Sequence, residues 1–177
     1  MERLKKAGEL MIPLEKYPHV PYWFSLRQVV AIIEKTKLNP DMTGGPSLAR
    51  FVLVFDEAYK LLGITRRRDI LRGLEPHFLS GAPVLAQKKG SEERADPSPP
   101  PISFDQLLEG LCRQAERPVS EVMLPIQATI DHEDHVMKVV HQMVENNLSM
   151  LPVLKENMVV GVIRSVEVFH EVANFIL

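Results

Sequence analysis

Two stretches of the chain, GITRRRD (Gly63 to Asp69) and GVIRSVE (Gly161 to Glu167), place an arginine three residues after a glycine and an acid three residues after that. A guanidinium presents a planar fork of donors that matches the oxygens of a phosphate or a carboxylate. A carboxylate at the start of a helix can accept from the hydroxyls of a ligand or from the N–H groups of the helix itself. The repeated spacing therefore reads either as a duplicated ligand site or as a duplicated structural device. Arg66, Arg67 and Arg68 are adjacent, so they cannot all enter one cleft; one or two would serve an anion and the rest would be solvated.

Other candidate chemistry is sparse. No G-x-S-x-G, H-E-x-x-H, P-loop or G-x-G-x-x-G pattern occurs, so no enzymatic activity is expected. His132 and His135 stand three apart near a helix start with His141 further on, but no fourth ligand accompanies them and no metal site is expected. Cys112 is the single cysteine, which excludes an intrachain disulfide, and it is expected to be a small buried apolar residue of a helix. Thr43 to Gly45 is too short to cradle a phosphate. The aromatic run from Tyr17 to Phe24 reads as a loop packed against a sheet, with protein contact as its alternative use.

The elements that must position the repeated arginines follow from patterning. Of 177 residues, 45% are hydrophobic and 25% charged, as in ordinary globular proteins, and the net charge of −2 gives no reason to expect nucleic acid or an anionic membrane as partner. The first fifteen residues lack the apolar core of a secretion signal, and no run approaches the roughly 18 apolar residues that span a bilayer. A cytoplasmic location is expected. Ser80 to Pro101 is rich in Gly, Pro, Ser and charge and reads as a linker. It separates residues 1–79 from residues 102–177.

Both parts repeat one order of elements. Each opens with Met-x-Pro, at Met11 to Pro13 and Met123 to Pro125. In each an amphipathic helix follows: Leu26, Val29, Val30 and Ile33 share one face of the first, with Ser25 and Gln28 as a capping box, and Val136, Val139, Val140 and Met143 share one face of the second. Two apolar runs around a polar turn then read as a β-hairpin, and a final helix begins at each arginine. A further amphipathic segment, Ser103 to Glu116, is expected to pack across the pair. The predicted order in each half is strand, helix, strand, strand, helix.

With Met-x-Pro, the LPV of Leu151 to Val153, and the sequence LLGITRRRDIL, this arrangement resembles a tandem pair of CBS domains, the family named after cystathionine beta-synthase. The resemblance covers nearly everything except the linker and the helix at Ser103 to Glu116. It implies an α/β fold of the α+β type: two β-α-β-β-α repeats packed by their sheets about a pseudo-two-fold axis. It also implies a regulatory, non-catalytic module that needs no cofactor, acts on a partner protein, and forms a homodimer. In that family the clefts between repeats bind AMP, ADP, ATP or S-adenosylmethionine.

On this resemblance the nucleotide-binding residues are Asp69 for the ribose, Arg66 and Arg67 for phosphate, and Thr65 beside them, with Arg66 standing where the family has Ser or Thr. The base slot comes from the opposite repeat, from Ile126, Leu148, Ser149 and Met150. A mirror-related second site would use Glu167, Arg164, Arg50 and Phe51, and is expected to be the poorer one because Glu is a methylene longer than Asp. Two rivals stand beside this reading. One is an S-adenosylmethionine sensor. The other is a ligand-free interaction scaffold, in which Arg66 and Arg164 pair with Asp69 and Glu167 and hold the repeats together.

Overall fold

The computed structural model describes residues 3–38, 47–76 and 102–177, so the expected linker at 80–101 and Thr43 to Gly45 lie outside the described residues. The first half comprises α1 (Ala7–Leu10), β1 (Ile12–Pro13), β2 (His19–Pro21), α2 (Leu26–Lys35), the short paired strands β3 (Lys37–Leu38) and β4 (Ser47–Leu48), β5 (Phe51–Phe55), β6 (Leu61–Arg66) and α3 (Arg67–Leu74). The second comprises α4 (Phe104–Ala115), β7 (Leu124–Pro125), β8 (Ile130–Asp131), α5 (Val136–Glu145), β9 (Met150–Lys155), β10 (Met158–Arg164) and α6 (Ser165–Ile176). The fold is α+β, and each half carries the predicted order, as β2-α2-β5-β6-α3 and β8-α5-β9-β10-α6.

Capping chemistry fixes where the helices begin. At α2 the Gln28 N–H donates to Ser25 Oγ at 3.3 Å and the Ser25 N–H donates to Gln28 Oε1 at 2.9 Å. Ser103 and Gln106 repeat the device at α4. The apolar faces are then set by helical period: Leu26, Val29 and Ile33 are buried on α2, and Val136, Val139 and Met143 on α5. Each such side chain contributes on the order of 1.5–3 kcal/mol on leaving water.

The Met-x-Pro segments do not stay with the half that encodes them. β1 pairs antiparallel with β10, giving a sheet of order β1-β10-β9-β8, and β7 pairs antiparallel with β6, giving β2-β5-β6-β7. The halves therefore exchange their opening strands. Glycine permits the exchange. A Cβ at Gly63 would lie 2.5 Å from the Leu124 carbonyl oxygen, and one at Gly161 would come equally close to that of Ile12. The demand at both is for space against a neighbouring backbone.

Alternation along the strands divides the core into layers. Val52 and Val54 of β5 pack with α2 and α3 residues, and Leu151 and Val153 of β9 pack with α5. Leu53 and Phe55 face the other way and meet Met150 and Val162 of the second sheet in a shared cluster with Tyr17 and Ala49. That cluster is where the two sheets lie against each other. α4 packs chiefly against α2 and α3 of the first repeat, and its Cys112, expected to be buried, is exposed because it lies on the outer face of that helix.

Candidate functional site: the cleft at the end of β6

At the β6–α3 junction the backbone turns from extended at Arg66 into the helix, leaving the first N–H groups without helical partners. Asp69 meets them. Its Oδ2 accepts from the Arg66 N–H at 3.0 Å and from Arg66 Nε at 2.8 Å, and its Oδ1 accepts from Arg66 Nη2 at 3.0 Å. The β10–α6 junction repeats this: Glu167 accepts from the Arg164 N–H at 3.0 Å and from Arg164 Nε and Nη2. The Gly-Arg-acid spacing is thus a helix cap in which one arginine supplies both the backbone and the side-chain donors. These pairs lie within each repeat, so they do not tie the repeats together as the scaffold reading expected. The Arg66 guanidinium holds the Asp69 carboxyl below the usual carboxylate range.

Beside this cap lies a cleft of about 360 Å³. Phe51, Ile64 and Arg66 line it from the first sheet, the segment Leu124 to Ala128 from the exchanged strand β7, and Asn146 to Met150 with Pro152 from the second repeat. Of the expected residues the structure brings together Arg66, Ile126, Leu148, Ser149 and Met150, and adds Phe51, which was expected in the mirror site. It does not bring Thr65, Arg67 or Asp69 to the lining. Thr65 is fully buried opposite Val52, on the helix-covered face of the sheet, because side chains alternate along β6. Arg67 reaches back to the Ala49 carbonyl at 3.3 Å. Asp69 is buried beneath Arg66, its side chain only 1% exposed.

Sequence reasoning missed Gln127, Ala128, Asn146 and Asn147. The first two follow Ile126, just after the second Met-x-Pro. Asn147 takes a left-handed φ of 51°, which asparagine tolerates, in the turn before β9. Arg66 is the one charged side chain among the lining residues; the rest are apolar or neutral polar.

The mirror position is built differently. Arg164 and Glu167 stand at the end of β10 and Phe51 lies in the same layer, but Arg50 is exposed to solvent. Tyr17 packs there in the cluster of Ala49, Leu53, Met150 and Val162 and is 2% exposed. Among the described residues its hydroxyl has no hydrogen-bond partner, and burial drives its ionisation well above the ordinary phenol range. Tyr17 belongs to a connection of six residues between Pro13 and Val20, against four between Pro125 and Ile130.

Among the described residues no group of three or more His, Cys, Asp or Glu side chains is placed to hold a metal ion, and no helix is long and apolar enough to cross a membrane. Comparison with curated protein sequences gives no match. A family model described as CBS domain matches residues 119–174. Among solved structures, the CBS-pair protein CBSX2 from Arabidopsis thaliana superposes with a TM-score of 0.63 at 14% identity, over 98% of this chain and 97% of that one. CBSX2 in complex with AMP gives 0.61 at 13% identity, over 97% and 98%. The cytosolic domain of the Mg2+ channel MgtE in complex with ATP gives 0.58 at 18% identity, over 94% of this chain and 48% of that one. Residues 119–174 match the CBS domain model, and the chain as a whole has the fold of the CBS-pair proteins it superposes on.

Proposed function

We propose that the Arg66 cleft binds an adenine nucleotide, AMP by preference, and that the module regulates a partner protein rather than catalysing a reaction. The observation that carries this reading is the guanidinium of Arg66, the one charged side chain among the described residues that line the cleft. A single fork suits a single phosphate group, whereas ADP and ATP bring further charge that no other lining residue meets. The cleft volume falls near the lower end of the 300–1,000 Å³ typical of ligand pockets, which suits the smallest of the three. Phe51, Ile126, Leu148 and Met150 supply apolar walls for a base. S-adenosylmethionine fits less well, because its cationic sulfonium would face Arg66 with no acid in the lining. The AMP and ATP complexes of the structural neighbours support the ligand class.

Tyr17 occupies the mirror position, so one ligand binds per chain. Calorimetric titration is expected to give one saturable site for AMP, weaker binding of ATP, and none of either in Ile126→Trp, whose indole fills the cleft. Absence of heat with AMP up to about 1 mM, where the binding energy is only near 4 kcal/mol, overturns the proposal and leaves the ligand-free scaffold.

Ligand in the cleft bridges residues of both repeats and biases their relative angle, which a partner protein reads. The proposed assembly is a homodimer. α4 covers the α2–α3 face, whereas α6 leaves Phe169 at 71% and Ile176 at 75% exposure along one side with Val166. Sedimentation is expected to show a dimer that Phe169→Glu converts to a monomer; a monomeric wild type sinks this part of the proposal.

A further inference from the structure

We infer that Asp69 is a positioning residue for Arg66 rather than the ribose acceptor, so that the cleft selects its ligand through phosphate and tolerates the loss of both ribose hydroxyls. The inference rests on the nucleotide-binding reading and concerns what that site recognises. A carboxylate can serve two ribose hydroxyls only if its oxygens face the ligand. The Asp69 side chain is 1% exposed, and Arg66 donates to it three times, with Arg72 Nη1 a further 3.8 Å away. Turning toward a ribose would uncap α3 and release the guanidinium at the same moment. Among the described residues no carboxylate lines the cleft; the polar side chains there besides Arg66 are Gln127, Asn146, Asn147 and Ser149.

Arg66 has the opposite character. Its side chain is 44% exposed and lines the cleft. A guanidinium carries five N–H donors, and Asp69 receives one from Nε and one from Nη2, which leaves three for an anion. The grip of Asp69 fixes the plane of the fork, so less side-chain freedom is lost when a phosphate arrives. The Arg164–Glu167 junction has the same construction where Tyr17 fills the space, so this use of the acid does not depend on a ligand.

The test compares AMP, 2′,3′-dideoxyadenosine 5′-monophosphate and adenosine by calorimetry on the full chain. The dideoxy monophosphate is expected within about twofold of AMP, and adenosine about 20-fold weaker, the scale of one charge-assisted contact. Asp69→Asn, with its fold checked by thermal unfolding, is expected to weaken both monophosphates by the same factor and leave adenosine unchanged. An Asp69 that touched the ribose would weaken AMP selectively, and a purely structural one would weaken adenosine equally. Loss of binding on removing the hydroxyls overturns this inference alone. Failure of AMP itself to bind overturns the nucleotide reading and this inference with it.

Discussion

Arg164→Met is expected to lower stability by about 3 kcal/mol in urea unfolding, the cost of leaving a buried carboxylate without its cation, while AMP binding stays as in the wild type. Arg66→Met is expected to lose much of the AMP affinity while costing less stability. The two arginines make the same cap, but their surroundings differ. The Arg164 side chain is 17% exposed and that of Glu167 only 2%, so removing the guanidinium strands a negative charge that water cannot reach. Arg66 is 44% exposed, so water can replace part of what it gave Asp69, and the stability loss should stay near 1 kcal/mol. The double variant Arg164→Met with Glu167→Leu isolates the mechanism. With charge removed from both sides, most of the loss should return, leaving about 1 kcal/mol for the missing helix cap. A double variant no more stable than Arg164→Met would show that packing of the arginine stem, not its charge, was lost.

This asymmetry was only partly visible in the sequence. The helices could be read because apolar residues recur at three and four positions and because Ser25–Gln28 and Ser103–Gln106 are capping boxes by composition alone. The hairpin between β9 and β10 could be read from its apolar runs, though not the left-handed φ of Glu156 and Asn157 that closes it. The strand exchange could not be read. β1 and β7 are two residues long, and nothing local in Met-x-Pro says which sheet will receive it.

The site was legible to the same uneven degree. Leu148 to Met150 and Ile126 reached the cleft as expected, because the element order fixes which loop faces the end of β6. The destination of Asp69 was ambiguous in principle, since an acid in the first turn of a helix can serve the cap or a ligand without any change of residue type. Arg66 decides it, by placing a bidentate donor at the one position from which it also supplies the backbone N–H. Tyr17 was read as part of an aromatic loop against a sheet, but residues His19–Pro21 of that run are strand β2 of the sheet itself; that Tyr17 takes the mirror position follows only from two extra residues in its connection and from tertiary packing.

Gly161→Ala and Gly63→Ala are each expected to cost about 3 kcal/mol, the upper part of the range for overpacking a close contact, or roughly 8 °C in Tm for a chain of this size. The added methyl meets a backbone carbonyl rather than the end of a flexible side chain, Ile12 in one case and Leu124 in the other, with the Met11 or Met123 sulfur close behind. Neither obstacle can rotate away without moving the exchanged strand. The functional consequences then separate. Displacing β7 moves Leu124, Pro125 and Ile126, which wall the cleft, so Gly63→Ala should weaken AMP at least tenfold on the nucleotide reading. Displacing β1 disturbs the side where Tyr17 sits, so Gly161→Ala should lose stability and keep its affinity. Equal loss of affinity in both variants would mean that the ligand responds to the packing of the whole pair and not to the β7 wall.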